Sequence, residues 1–173
     1  TPVRETIFRL VSERSLEMTT ATAIHVPQIS ADQLREIQAI RTLLEGKAAE
    51  EAAAKITPAK LKKLEKIQAS FKEAAATDPL KAAYFNREFH FALLEAADMP
   101  MLFATVESLW TLMGPLLRIY HLEAPTRVLR SDEHDHFAVL EALKTGNGDK
   151  AREAIQKDIQ LGLKMVSWIE ARA

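Results

Sequence analysis

The sequence predicts an all-α protein: an antiparallel bundle of about six helices, preceded by a short helix and one β-hairpin. Three observations carry that expectation. Only 5 Gly and 7 Pro occur in 173 residues and aromatic residues make up 6%, an alanine-rich composition that suits helices and gives sheets little to pack with. Apolar residues recur at intervals of three and four over long stretches, the period of a helix with one buried face. Helix-start and helix-stop residues punctuate those stretches at short intervals, which leaves room only for tight loops.

Taken in order, Pro2 to Glu13 predict a short amphipathic helix with Val3, Ile7 and Leu10 on one side and Arg4 and Arg9 off it. Leu16-Glu17-Met18 and Ala23-Ile24-His25-Val26 alternate like two strands joined by a Thr/Ala turn. One helix and one hairpin bury too little surface to fold alone. Residues 1–27 are therefore expected to be the end of a second domain, and 28–173 the helical one.

Ser30 with Gln33 has the spacing of a capping box, and Leu34, Ile37, Leu44 and Ala48 follow at helical intervals to about Ala54. Thr57-Pro58 reads as N-cap and first helical residue, followed by a stripe of Leu61, Leu64, Ile67 and Phe71. Asp78-Pro79 repeats that signal for a third helix through Ala82, Asn86, Phe89, Leu93 and Ala97. A fourth, from about Pro100 to Tyr120, carries Phe103, Val106, Trp110, Met113 and Leu117, with Gly114-Pro115 predicting a kink. Met101, Met113 and Met165 read as core filler. A fifth helix puts His136, Val139, Leu140 and Leu143 on one face and ends at Gly146, suited to the left-handed position after a helix. Asp149 is expected to cap a sixth, whose stripe runs Ala151, Ile155, Asp158, Gly162, Met165 and Ile169.

Charge and composition exclude several function classes. With 23 Lys+Arg against 24 Asp+Glu there is no polybasic tail, and zero Cys removes disulfides, zinc-thiolate clusters and thiol chemistry. The uncharged apolar stretch Ser108 to Leu117 is far below the ~20 apolar residues of a bilayer span. No signal peptide opens the chain, so a cytoplasmic protein without membrane partners is expected.

The informative residues are polar side chains on apolar faces. Asn86 and His90 lie four apart on the third helix, His136 on the fifth and Asp158 on the sixth, all on core-facing stripes. A carboxylate at a core position is costly unless paired or coordinated. The set reads in two ways: as nitrogen and oxygen ligands for a divalent metal such as zinc, nickel or manganese, or as a dry polar cluster in which Asp158 bonds an imidazole. Arg41 also faces inward, with Glu45 one turn on. It is either half of an ordinary surface ion pair or a guanidinium aimed at a ligand carboxylate. Trp110, Arg118, Tyr120 and His121 near the expected kink are weaker pocket candidates. His134 and His136 have the chemistry of general bases, but no Ser or Cys nucleophile is placed beside them. A non-enzyme is expected, with a helical metal-dependent enzyme acting on a small carboxylic acid as the alternative.

Thr1-Pro2-Val3-Arg4-Glu5 resembles the start of the recognition helix in the winged helix-turn-helix domain of GntR-type bacterial transcription regulators. Ser30 to Ala173 resembles the all-helical effector domain of that family's FadR-like branch, the FCD domain. The matching landmarks are Arg41 with Leu44-Glu45, Asn86 to His90, Asp135-His136 through Leu140-Glu141-Ala142-Leu143, and Gly148-Asp149. The resemblance implies a ligand-responsive homodimeric regulator of transcription that binds operator DNA and takes one effector per bundle. Metal-binding members hold the ion with Asp and His on the third helix and one His each on the fifth and sixth. Carried over, those positions are Asn86, His90, His136 and Asp158, with Asn in place of Asp and Asp in place of the last His. The single carboxylate would leave a divalent ion with about one positive charge, which together with Arg41 favours a small organic acid as effector. Trp110 and Arg118 join Arg41 as expected effector contacts. On the DNA side the resemblance implies Thr1, Arg4 and Arg9 on the recognition helix, with His25 and the Thr19 to Thr22 turn as a wing lacking its usual glycine. With the helices upstream of the recognition helix absent, the chain is expected not to bind operator DNA by itself.

Overall fold

The computed structural model describes residues 2–13, 15–20, 23–123 and 134–172. It contains α1 (Pro2–Ser12), β1 (Glu17–Thr20), β2 (Ala23–His25), α2 (Ala31–Lys55), α3 (Pro58–Ala75), α4 (Pro79–Ala97), α5 (Pro100–Glu123), α6 (His136–Lys144), α7 (Gly148–Gln160) and α8 (Leu163–Glu170). The all-α bundle and its leading helix and hairpin are as the sequence predicts. β1 and β2 pair antiparallel, with Glu17 opposite His25 and Met18 opposite Ile24. No residue of α1 is buried. No helix among the described residues is long and apolar enough to cross a membrane.

The helix starts follow the local chemistry. At α2 the Gln33 N–H donates to Ser30 Oγ at 3.2 Å and the Ser30 N–H donates to Gln33 Oε1 at 2.9 Å, the reciprocal capping box. Thr57 and Asp78 cap α3 and α4 by accepting from Lys60 and Lys81, each with Pro in the first turn. α4 stops where Asp98 turns left-handed at φ 53°, and α6 is followed by Gly146 at φ 65°.

Three details differ from the sequence reading. The N-cap of α7 is Asn147, whose side chain accepts from Lys150, while Asp149 sits in the first turn. The expected sixth helix is two, α7 and α8, parted at Leu161-Gly162. At Gly162 an added Cβ would stand 2.1 Å from Gln38 Nε2, so the backbone lies against a buried side chain that must shift if a larger residue stands there. Met101 is exposed, because it lies in the first turn of α5 off the stripe of Val106, Trp110 and Met113. α5 spans Gly114-Pro115, the place of the expected kink, as one helix.

α2 is the central element and packs against α4, α5, α6, α7 and α8. Its Ala48, Ala49, Ala52 and Ala53 are all buried. Small side chains on this face let α7 approach closely. Leu34, Leu64, Phe89, Leu93, Val106, Met113, Leu143 and Ile155 fill the core around it. The polar cluster lies within this core, between α2, α3, α4, α6 and α7.

Candidate functional site

The inward faces of five elements bring Arg41 and Glu45 (α2), Gln68 (α3), His90 (α4), His136 (α6) with His134 just before it, and Asp158 (α7) into one buried network. His90 is its hub. Its Nδ1–H donates to Glu45 Oε2 at 2.6 Å and its Nε2–H to Asp158 Oδ2 at 3.1 Å, since an ionised carboxylate only accepts. Asp158 Oδ1 accepts from His134 Nδ1 at 2.7 Å. His136 Nδ1 donates to Gln68 Oε1 at 2.7 Å, while its Nε2 is buried without a hydrogen-bond partner, 3.6 Å from Asp158 Oδ2. Phe89 stacks on the His136 ring at 3.9 Å and locks its orientation.

Arg41 donates from Nε to Glu45 Oε1 at 2.6 Å and from Nη1 to Gln38 Oε1 at 3.2 Å, and its guanidinium lies 4.1 Å from the centroid of Trp110. The i, i+4 ion pair of Arg41 with Glu45 exists, but it lies inside the bundle and not on the surface: Arg41 is 5% and Glu45 1% exposed.

Burial alone would neutralise these groups, and the network reverses that for most of them. Desolvation works against an ionised Glu45, but Arg41 and His90 hold its carboxyl down at about 2. Desolvation likewise opposes ionised Asp158, yet His136, His134 and His90 keep it well below the usual carboxylate range. For His90 burial disfavours the charged ring, and Glu45 and Asp158 together raise its pKa nonetheless. For His136 burial wins and the ring is held neutral.

A cavity of about 70 Å³ opens beside the network, lined by Arg41, Asn86, His90, Trp110, His134 and Asp158 and floored by Gly162 and Met165. It has room for on the order of five waters or a small acid. The residues also fit a metal ion. One ligand atom each of His90, His136 and Asp158 lies within 4.8 Å of the others. His136 offers an unprotonated, unpaired nitrogen, and Glu45 and Gln68 stand behind the two imidazoles as orienting partners.

Of the residues singled out in the sequence, the structure brings His90, His136, Asp158, Arg41 and Trp110 together and sets Asn86 on the cavity wall, its Oδ1 buried and unpaired. Arg118 is exposed and lines a separate outer groove with residues 26–29 and Trp168, two turns along α5 from Trp110 and about a quarter-turn round the helix from it. Tyr120 is buried and His121 borders the cavity. At the other end of the molecule Arg4 lies over Phe8 at 5.4 Å and Arg9 pairs with Glu13 at 2.8 Å, while Thr1 and the turn at 21–22 lie outside the described residues. Sequence reasoning missed Gln38, Gln68 and the part of His134. Gln68 stands four after Leu64 and three before Phe71, so the stripe itself marks it as inward; His134 precedes its helix and has no periodicity to betray it.

The family model described as FCD domain matches residues 36–161. The HTH-type transcriptional regulator McbR of Escherichia coli K12 is 30% identical over 167 residues, covering 96% of this chain and 76% of McbR. The HTH-type transcriptional repressor RspR of the same organism is 25% identical over 162 residues, 92% of this chain and 69% of RspR. The solved structure of E. coli McbR/YncC superposes with a TM-score of 0.85 at 29% identity, covering 96% of this chain and 84% of that one. With a family model spanning most of the bundle and a regulator aligned over nearly its whole length, the chain belongs to the GntR-type transcription regulators, in the branch that carries an FCD domain.

Proposed function

We propose that residues 28–173 sense a small organic acid, and that its capture changes how a winged helix-turn-helix domain, of which residues 1–27 are the end, holds operator DNA. The observation that carries this reading is His136, a neutral imidazole with one nitrogen tied to Gln68 and the other unpaired beside Asp158 and His90. A divalent ion such as zinc, nickel or manganese, held by His90, His136 and Asp158 with Asn86 alongside, supplies a Lewis-acid centre for a carboxylate. With His90 giving up its Nε2 proton to ligate, Arg41, Glu45 and Asp158 leave one net negative charge; a divalent ion turns this into one net positive charge, which a monocarboxylate balances. Nη2 of Arg41 has no acceptor among the described residues, and a ligand carboxylate provides one.

The response reaches the DNA-binding part through α5 and α8. Trp110, Leu117 and Met165 touch the cavity, while Pro115, Ile119, Trp168 and Ile169 of the same helices line the outer groove together with residues 26–29. A ligand shifts that equilibrium only by preferring one arrangement of the helices. Homodimerisation belongs to this reading, supported by the exposed apolar side chains Leu43, Met101, Ile119 and Leu122.

Elemental analysis of protein purified without chelator tests the metal: close to one equivalent of a divalent ion per chain is expected, and a site that stays empty even with added zinc or nickel defeats that part. Operator titrations, on a chain carrying the complete DNA-binding domain and with a panel of small acids, test the sensing. Identical operator affinity with every acid defeats it.

A further inference from the structure

We infer that His134 is a positioning residue that makes Asp158 a one-oxygen ligand, so that an ion held by His90, His136 and Asp158 keeps open positions toward the cavity. The inference rests on the metal reading above. Nothing in the family pattern or in the periodicity of the chain marks His134; geometry does. The two oxygens of Asp158 face different partners: Oδ1 accepts from His134 Nδ1 at 2.7 Å, and Oδ2 faces His90 Nε2 at 3.1 Å and His136 Nε2 at 3.6 Å. A carboxylate anchored in this way presents Oδ2 alone to whatever lies between the two imidazoles; turning to offer both oxygens breaks the His134 bond.

His134 is itself held. It is 9% exposed, its ring stands edge-on to Phe71 at 4.9 Å, and it lies two residues before His136, so the start of α6 places both imidazoles together. It stands outside the group of three whose ligand atoms lie within 4.8 Å, which separates its task from theirs. The result is a set of two imidazoles and one carboxylate oxygen, a three-donor site that leaves the remaining positions of a divalent ion for an exogenous ligand. The carboxylate at 158 thereby does what a histidine there would do, giving one donor atom, because a second histidine ties off its other oxygen.

Cobalt(II) is the probe, since its visible spectrum reports coordination number and the same absorption titrates its affinity. His134→Asn keeps an N–H near the position of Nδ1, whereas His134→Gln places one near Nε2. The expected order is wild-type affinity and spectrum for His134→Asn, and about tenfold or greater weakening for His134→Ala and His134→Gln, with loss of visible absorption intensity as Asp158 supplies a second oxygen. Folding is followed by circular dichroism, and if the Ala variant does not fold the Asn and Gln pair decides. Wild-type affinity and spectrum in folded Gln and Ala variants, or failure of the folded Asn variant to match wild type, overturns the role of His134 alone. A wild-type chain that takes up no cobalt overturns the metal reading and this inference with it.

Discussion

Removing the Glu45 carboxylate leaves Arg41 and His90 buried without the anion they share. Breaking one side of a buried pair is costly, about 3–5 kcal/mol, because the surviving charge is no longer compensated. Glu45→Gln is therefore expected to lower urea-unfolding stability on that scale, although it keeps the side-chain volume. The same carboxyl gives a pH signature. Its folded pKa is about 2 against an ordinary 4.5, so its contribution is fully present above about 4.5 and is lost as pH falls toward 2. Asp158, also depressed, adds to that acid limb. His90 works in the opposite sense: its raised pKa contributes stability below about 6.5 that is lost as pH rises through the folded value. Stability measured against pH in chelator should fall more steeply on the acid side in wild type than in Glu45→Gln. Parallel acid limbs would mean that Glu45 is not held ionised by its neighbours.

At the scale of elements, the helices are written locally and their junctions are not. The capping box at Ser30 is complete in four residues, so Ser30→Ala should cost about 1 kcal/mol in thermal or urea unfolding. The break between α7 and α8 has no such local cause. Gly162 sits where the backbone meets Gln38, a residue 124 positions earlier, and that meeting exists only once the bundle has formed. Gly162→Ala pushes on Gln38, whose Oε1 holds Arg41, and should destabilise by about 1–3 kcal/mol; an unchanged melting temperature would show that Gln38 moves aside freely. The same division explains what was legible in the site. His90, His136 and Asp158 were readable because each breaks an apolar stripe on its own helix. The partners that set their protonation, Glu45 and His134, required the tertiary contact: an i, i+4 pair with Arg41 reads the same exposed or buried, and a residue ahead of its helix follows no period.

On the scale of the whole molecule, the proposed sensing requires a path from the cavity inside the bundle to residues 26–29. α8 is short and touches both places: Met165 borders the cavity, and Trp168 and Ile169, with Arg172 just beyond the helix, line the outer groove. It is tied at its end to the start of α2 through Glu170 and Arg35, and to the end of α5 through Arg172 and Glu123 at 2.7 Å. Exposed ion pairs of this kind contribute little to stability, so the packing of Trp168 against Tyr120 at 5.3 Å and under Arg172 at 4.5 Å is the firmer link. Trp168 lines the groove that residues 26–29 also line, and is not among the residues lining the cavity. Trp168→Ala should therefore leave the affinity of the bundle for an acid nearly unchanged by calorimetry. In a chain with the complete DNA-binding domain, it should bring the operator affinities with and without that acid toward the same value. Linkage requires any loss of coupling to appear reciprocally, as an acid affinity that no longer depends on bound operator. A variant that loses acid binding together with the response would instead make α8 part of the cavity wall, and one that keeps both would move the path to α2 and α5.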